Sequence, residues 1–139
     1  MSVPRMALAI ALISSNAYCI GERLPDGCGD QSARPAATRL TYTVKWTMAS
    51  QEETFGYDVY RSDRKEGPFS KVTKLPILGA GTTNDTLDYQ FVDETADPCI
   101  DHWYYVEHID TSGERTKLTE LMQAPAKLKA HGSPVSKTR

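Results

Sequence analysis

The sequence predicts an all-β protein, an antiparallel β-sandwich of six to seven strands. Three observations predict it. In "LTYTVKWT", Leu40, Tyr42, Val44 and Trp46 alternate with Thr41, Thr43, Lys45 and Thr47, the period of a strand with one buried face. Further short segments of the same period follow, each closed by Gly, Pro, Asp or Ser turn signals. No stretch between them carries the 3.6-residue period of a helix, and strands without intervening helices pack sheet on sheet.

The first segment stands outside this pattern. Arg5 precedes the apolar run "MALAIALI", Met6 to Ile13, which gives way to "SSNAYC". This is the layout of a secretory signal peptide covering residues 1–19, with cleavage expected between Ala17 and Cys19. A lipoprotein would keep Cys19 as its first residue, but Tyr18 stands where that processing wants a small side chain. Eight apolar residues are far short of the ~20 that cross a bilayer, so no transmembrane segment is expected after cleavage. The expected location is secreted or periplasmic, at the cell envelope.

Residues 20–38, "IGERLPDGCGDQSARPAAT", have no hydrophobic period and read as a flexible N-terminal arm. A cut after Cys19 leaves Cys28 and Cys99, which an oxidising compartment allows to bridge. Two unpaired thiols or an intermolecular bridge are the alternatives. The cysteines come without CxxC or HxxxH spacing, so neither metal nor cofactor is expected.

The sandwich itself is expected over residues 39–126. After the first strand, "GYDVYRS" places Tyr57 and Val59 on one face and Asp58, Tyr60 and Ser62 on the other. The charges from Arg61 to Glu66 and the Gly67-Pro68 signal then make a solvated bend into a short strand, "FSKVTKL". Residues Pro76 to Thr86 read as a loop. Alternation resumes at Leu87, Tyr89 and Phe91, and again in "HWYYVEHID", His102 to Asp110, before a turn at Ser112-Gly113 and a last strand from Lys117 to Gln123. Residues 127–139 carry four positive charges and no negative one, which predicts a disordered basic tail. No internal repeat is present.

Composition narrows the partners. With a formal net charge of -2 and no basic stripe among aromatics, nucleic acid is not an expected ligand.

These residues, from Leu40 to Gln123, resemble bacterial members of the fibronectin type III superfamily, whose fold is an immunoglobulin-like sandwich. Trp46 matches the Trp that ends the second strand of such domains, "GYDVYRS" the third strand, and Gly67-Pro68-Phe69 the opening of the next. Tyr89 to Asp93 matches the Tyr-x-Phe-Val-Asp of the fifth strand, and the tyrosines of His102 to Asp110 the sixth. Two departures stand out. At the corner before the sixth strand the family has Pro-Gly and then a Tyr, whereas this chain has Cys99 and His102 in the Gly and Tyr positions. A tyrosine corner bonds its hydroxyl to the upstream backbone, so either His102 supplies a nitrogen or Trp103 and Tyr104 shift register. No alternating segment precedes Leu40, so the first strand of the family is missing and an edge is short or covered by the arm.

No catalytic constellation is expected. His102 and His108 face one way but lie about 20 Å apart at strand rise. The neighbours Glu52 and Glu53, and Asp93 and Glu94, diverge as strand residues do and read as solubilising charges. A weak calcium site from Asp93, Asp97 and Asp101 is a minor alternative without EF-hand spacing, and "LGAGTTNDT" lacks the Lys of a phosphate loop.

Binding candidates fall in two groups. Gln51, Glu52 and Glu53 in the loop Met48 to Thr54 share an end of the sandwich with Ser112 and Glu114 in the loop Asp110 to Arg115. Tyr60, Trp103 and Tyr105 lie on an outward face, where they either contact a ligand or are covered by neighbours such as Lys71 and Arg61. The expected function is a non-catalytic exported module that binds a protein or glycan, or spaces other parts of the envelope. The alternatives are a small secreted enzyme inhibitor or enzyme accessory, and a structural subunit that assembles by strand addition.

Overall fold

The computed structural model describes residues 27–129, so the expected signal peptide, the arm before Gly27 and the tail beyond Lys129 lie outside the described residues. Eight strands follow one another in these residues: β1 (Tyr42–Met48), β2 (Gln51–Ser62), β3 (Ser70–Lys71), β4 (Ile77–Thr83), β5 (Leu87–Asp93), β6 (His102–Asp110), β7 (Arg115–Lys117) and β8 (Met122–Ala124). They form two antiparallel sheets in a sandwich-like arrangement. The smaller is β1 with β5, in continuous register from Tyr42 opposite Asp93 to Met48 opposite Leu87. In the larger, β2 and β6 form the centre, β3 and β4 share the far edge of β2, and β7 and β8 share the far edge of β6.

The period-two patterns account for the core. Tyr42, Val44 and Trp46 of β1 face Tyr57 and Val59 of β2 and Tyr104 and Val106 of β6, all buried. Tyr89 of β5 stacks on Trp46 with ring centroids 5.7 Å apart, and Tyr57 meets the same indole edge-on at 5.4 Å. Such aromatic pairs contribute beyond the area they bury, roughly 0.5–1.5 kcal/mol each. The indole Nε1 of Trp46 is buried without a hydrogen-bond partner among the described residues.

Four expectations change. The segment Pro76 to Thr86 is not a loop, because Ile77 to Thr83 form β4 against β2. Its glycines hid it, and they have a use: a Cβ on Gly79 would lie 2.5 Å from Thr54 Cγ2, so only glycine lets β4 approach β2 here. The strand expected in "FSKVTKL" shrinks to Ser70–Lys71. The last strand splits into β7 and β8, because Val106 bonds Leu118 and Thr119 in the gap. Finally β2 begins at Gln51, so Gln51 lies in a strand and not in a loop.

No strand precedes β1 among the described residues. The described part of the arm is fastened rather than loose. Fully buried Gln31 donates to the carbonyls of Gly27 (2.9 Å) and Gly29 (2.8 Å), and Arg39 pairs at 2.9 Å with Glu94, the residue just after β5. The Cys28–Cys99 disulfide ties this arm to the corner before β6, closing 71 residues of sequence separation.

Candidate functional site

The corner between β5 and β6 holds the densest polar chemistry. Asp93 ends β5 with its side chain 1% exposed, where Arg61 Nη1 (2.7 Å) and Tyr104 Oη (2.8 Å) donate to one carboxylate oxygen and the amide and hydroxyl of Thr95 (2.9 and 2.8 Å) donate to the other. Burial alone raises its pKa. The hydrogen bonds from Thr95 and the Arg61 guanidinium outweigh burial and hold it below the ordinary carboxylate value. Burial in turn pushes the Tyr104 hydroxyl up, with the Asp93 charge adding to it.

His102 takes the place of the corner tyrosine. Its Nε2 donates to the carbonyl of Asp97 at 2.7 Å, five residues upstream, while Nδ1 meets Asp63 Oδ1 at 2.9 Å. Of the two alternatives at this corner, His102 supplies a nitrogen to the upstream backbone. His108 shares a hydrogen bond with Thr54 Oγ1 at 2.9 Å, far along the same strand. Asp93 is committed to its four donors, which removes the calcium alternative built on Asp93, Asp97 and Asp101. The cluster of Cys28, Asp97 and Cys99 is no better a metal site, since both thiols are spent in the disulfide.

The outward face of the larger sheet is the second candidate. Pairing of β2 with β6 sets Tyr60 opposite Tyr105, and their rings stack at 5.0 Å with planes 4° apart. Phe69, from the bend before β3, leans on Tyr105 at 5.2 Å, and Lys117 of β7 places its ammonium 5.1 Å from the centroid of the same ring. Trp103 lies on this face opposite Ser62 and Gln123, half-buried. Beneath the aromatics, Asp58 is fully buried although it points outward. Thr73 Oγ1 (2.7 Å) and Arg115 Nη1 (2.8 Å) donate to it, and Lys71 Nζ lies 3.8 Å away. Arg115 also reaches Glu107 at 2.7 Å, and Tyr60 donates to Glu107 at 3.2 Å. Partial burial, then the Glu107 charge, raises the pKa of both Tyr60 and Tyr105, so both hydroxyls are neutral donors at physiological pH. Sequence reasoning placed all three aromatics correctly on one face. It missed the cation over Tyr105, because β7 depends on where the last hairpin turns. Of the two neighbours named as alternative cover, Arg61 turns inward to Asp93 instead.

The loop candidates divide. Gln51 is buried, donating through Nε2 to Tyr89 Oη at 2.8 Å and accepting at Oε1 from Tyr57 Oη (3.0 Å) and the Ala80 amide (3.1 Å), so it organises the interior and is removed as a ligand contact. Glu52 and Glu53 stay exposed, Glu53 with a positive φ of 45°. Both lie in β2 like Gln51, not in a loop, and the Thr111 amide of the second loop donates to the Glu53 carbonyl at 2.8 Å. In the second loop, Ser112 donates to Asp110 Oδ1 through its amide (2.8 Å) and hydroxyl (2.6 Å), the Glu114 amide donates there too, and Gly113 closes the turn at φ 89°. The Ser112 hydroxyl bond comes first among the causes that lower the Asp110 pKa. A shallow cleft of about 590 Å³ crosses the smaller sheet, where Thr47 Oγ1 and Asp88 Oδ1 pair with each other at 2.5 Å. No helix among the described residues is long and apolar enough to cross a membrane. Comparison with protein-family models, curated proteins and solved structures finds no match for this chain.

Proposed function

We propose that this chain is an exported, non-catalytic recognition module of the fibronectin type III kind, and that it binds a protein partner through the outward face of its larger sheet. The observation that carries this reading is the group Tyr60, Trp103 and Tyr105 on the two central strands, joined by Phe69 from the bend before β3 and set among Lys71, Arg115 and Lys117. Tyr, Trp and Arg are the side chains that dominate binding energy at protein interfaces, and a rigid sheet presents them without ordering cost. A protein suits the face better than a glycan. Tyr60 approaches Tyr105 from the β2 side and Lys117 from the β7 side, leaving no open ring face on Tyr105 for a sugar to stack upon. The N-terminal apolar run and the Cys28–Cys99 bridge support export. The engagement of His102 with Asp63 and Asp97, and of Asp93 with four donors, supports a structural role for the most catalytic-looking side chains.

The test is affinity capture from cell-surface extract with the wild-type chain and with Tyr60→Ala and Trp103→Ala. Loss of a captured protein with both variants, and its retention by Glu52→Ala and Ser112→Ala, is the expected result. The opposite pattern moves the site to the loops. A turnover abolished by His102→Ala in a chain that keeps its fold overturns the non-catalytic reading.

A further inference from the structure

A partner that strips water from a hydrogen-bond donor must supply an acceptor in its place, so the groups a surface leaves open describe what fits it. On the outward face of the larger sheet the two signs of charge are not equally accessible. Both carboxylates lie low in the face and are already engaged. Asp58 is fully buried and accepts from Thr73 and Arg115, and Glu107, its side chain 16% exposed, accepts from Arg115 and Tyr60. The three cations stand higher. Lys71 and Arg115 keep their side chains 42% and 43% exposed. Lys117 is exposed too, its ammonium over the Tyr105 ring, and it takes part in no ion pair among the described residues. Two ammonium groups and a guanidinium carry more N–H donors than these two carboxylates take up.

The open donors also have a layout. Lys71 of β3 is paired with Tyr60, and Lys117 of β7 with Glu107, so cations border the aromatic group on both sides. In the order β3, β2, β6, β7, the two lysines stand three strand spacings apart, about 14 Å, which is the length of about four extended residues.

We infer that the partner of this face presents an acidic segment: an extended stretch with aspartate or glutamate about four residues apart and an apolar side chain between them, crossing the strands from Lys71 to Lys117. Its carboxylates take the open donors of Lys71 on one side and of Arg115 and Lys117 on the other, and the side chain midway rests on the Tyr60 and Tyr105 pair. A basic segment would set like charge against all three cations and leave their donors without acceptors. The formal net charge of -2 does not oppose an acidic partner, because charges farther off than about 8–10 Å are screened at ordinary salt. The acidic partner rests on the outward face being the recognition surface, and it adds the chemistry of what is recognised.

The test is fluorescence anisotropy of labelled poly(Glu,Tyr), a random copolymer of glutamate and tyrosine, titrated with the full, disulfide-bonded chain at about 0.05 M and about 0.5 M salt. Binding at the lower salt that weakens at least about tenfold at the higher is expected. Lys117→Gln breaks no ion pair, and Lys71→Gln leaves Asp58 its Thr73 and Arg115 donors. Each is expected to raise the dissociation constant several-fold, and the two together at least about tenfold. Lys137→Glu with Arg139→Glu, in the basic tail, is expected to leave the affinity unchanged. No binding at the lower salt, indifference to Lys71 and Lys117, or an equal loss with the tail variant overturns the acidic partner. So does heparin that binds more tightly than the copolymer and needs both lysines but not Tyr60, which assigns the cations to a sulfated glycan. Failure of the recognition face itself looks different, since Tyr60→Ala and Trp103→Ala then leave capture of the cell-surface protein intact. If those two abolish capture while Lys71→Gln with Lys117→Gln does not, the face stands and the acidic partner falls.

Discussion

Two aspartates, Asp93 and Asp58, are both buried and both paired with an arginine, yet they close opposite sides of the larger sheet. Asp93 looks inward, and its charge is matched by Arg61, Tyr104 and Thr95 within the sandwich corner. Asp58 looks outward, and it is buried only because Thr73, Lys71 and Arg115 lie across it, the last two more than 40% exposed. The difference teaches that burial of a charge says little by itself. What matters is whether its partners have water as an alternative when the pair is broken.

The sharpest way to break the comparison is Asp93→Ala, which strands the Arg61 guanidinium and the Tyr104 hydroxyl in the interior. Removing one member of a buried pair costs about 3–5 kcal/mol, which chemical denaturation measures directly. The same group predicts a pH dependence. Its folded-state pKa lies below the unfolded value near 3.9, so its contribution is complete above about pH 4 and disappears as pH falls through the folded-state value. Asp93→Asn is therefore expected to flatten stability against pH below about pH 4, with little change in that slope above pH 5.

Opening the corner by replacing Cys28 and Cys99 with Ser is the next largest effect, about 2–4 kcal/mol for a bridge of this span. A loss below 1 kcal/mol would mean that the hydrogen bonds of Gln31 and Arg39 hold the arm without it. Asp58→Ala then costs about 1–2 kcal/mol, because Lys71 and Arg115 turn to water while only Thr73 loses its partner in the interior. Equal losses for Asp58→Ala and Asp93→Ala would erase the distinction drawn between the two faces. Smallest is Ser112→Ala, within about 0.5 kcal/mol, since the Asp110 carboxylate keeps the Ser112 and Glu114 amides.

Much of the sandwich was legible in the residues. Tyr42, Val44 and Trp46, and again Tyr57 and Val59, are buried as their alternation requires, and the turn at Gly113 and the Cys28–Cys99 bridge stand as expected. β4 was illegible for a physical reason. A strand of Gly, Ala and Thr has no contrast between faces, and its pairing rests on the close approach of Gly79 to Thr54, a tertiary fact. Gln51 misled in the opposite way, since a polar residue after Ala49-Ser50 reads as loop until Tyr57, Tyr89 and Ala80 converge on its amide.

By itself, then, the sequence determined the all-β class, which strand faces enter the core and which side of the sheet displays Tyr60, Trp103 and Tyr105, because side-chain direction in a strand follows from local backbone geometry. Only the tertiary structure decided that Arg61 turns inward to Asp93, that Lys117 lies over Tyr105, and that β4 pairs with β2. Each of these depends on which strands become neighbours, and that is settled by packing between segments dozens of residues apart.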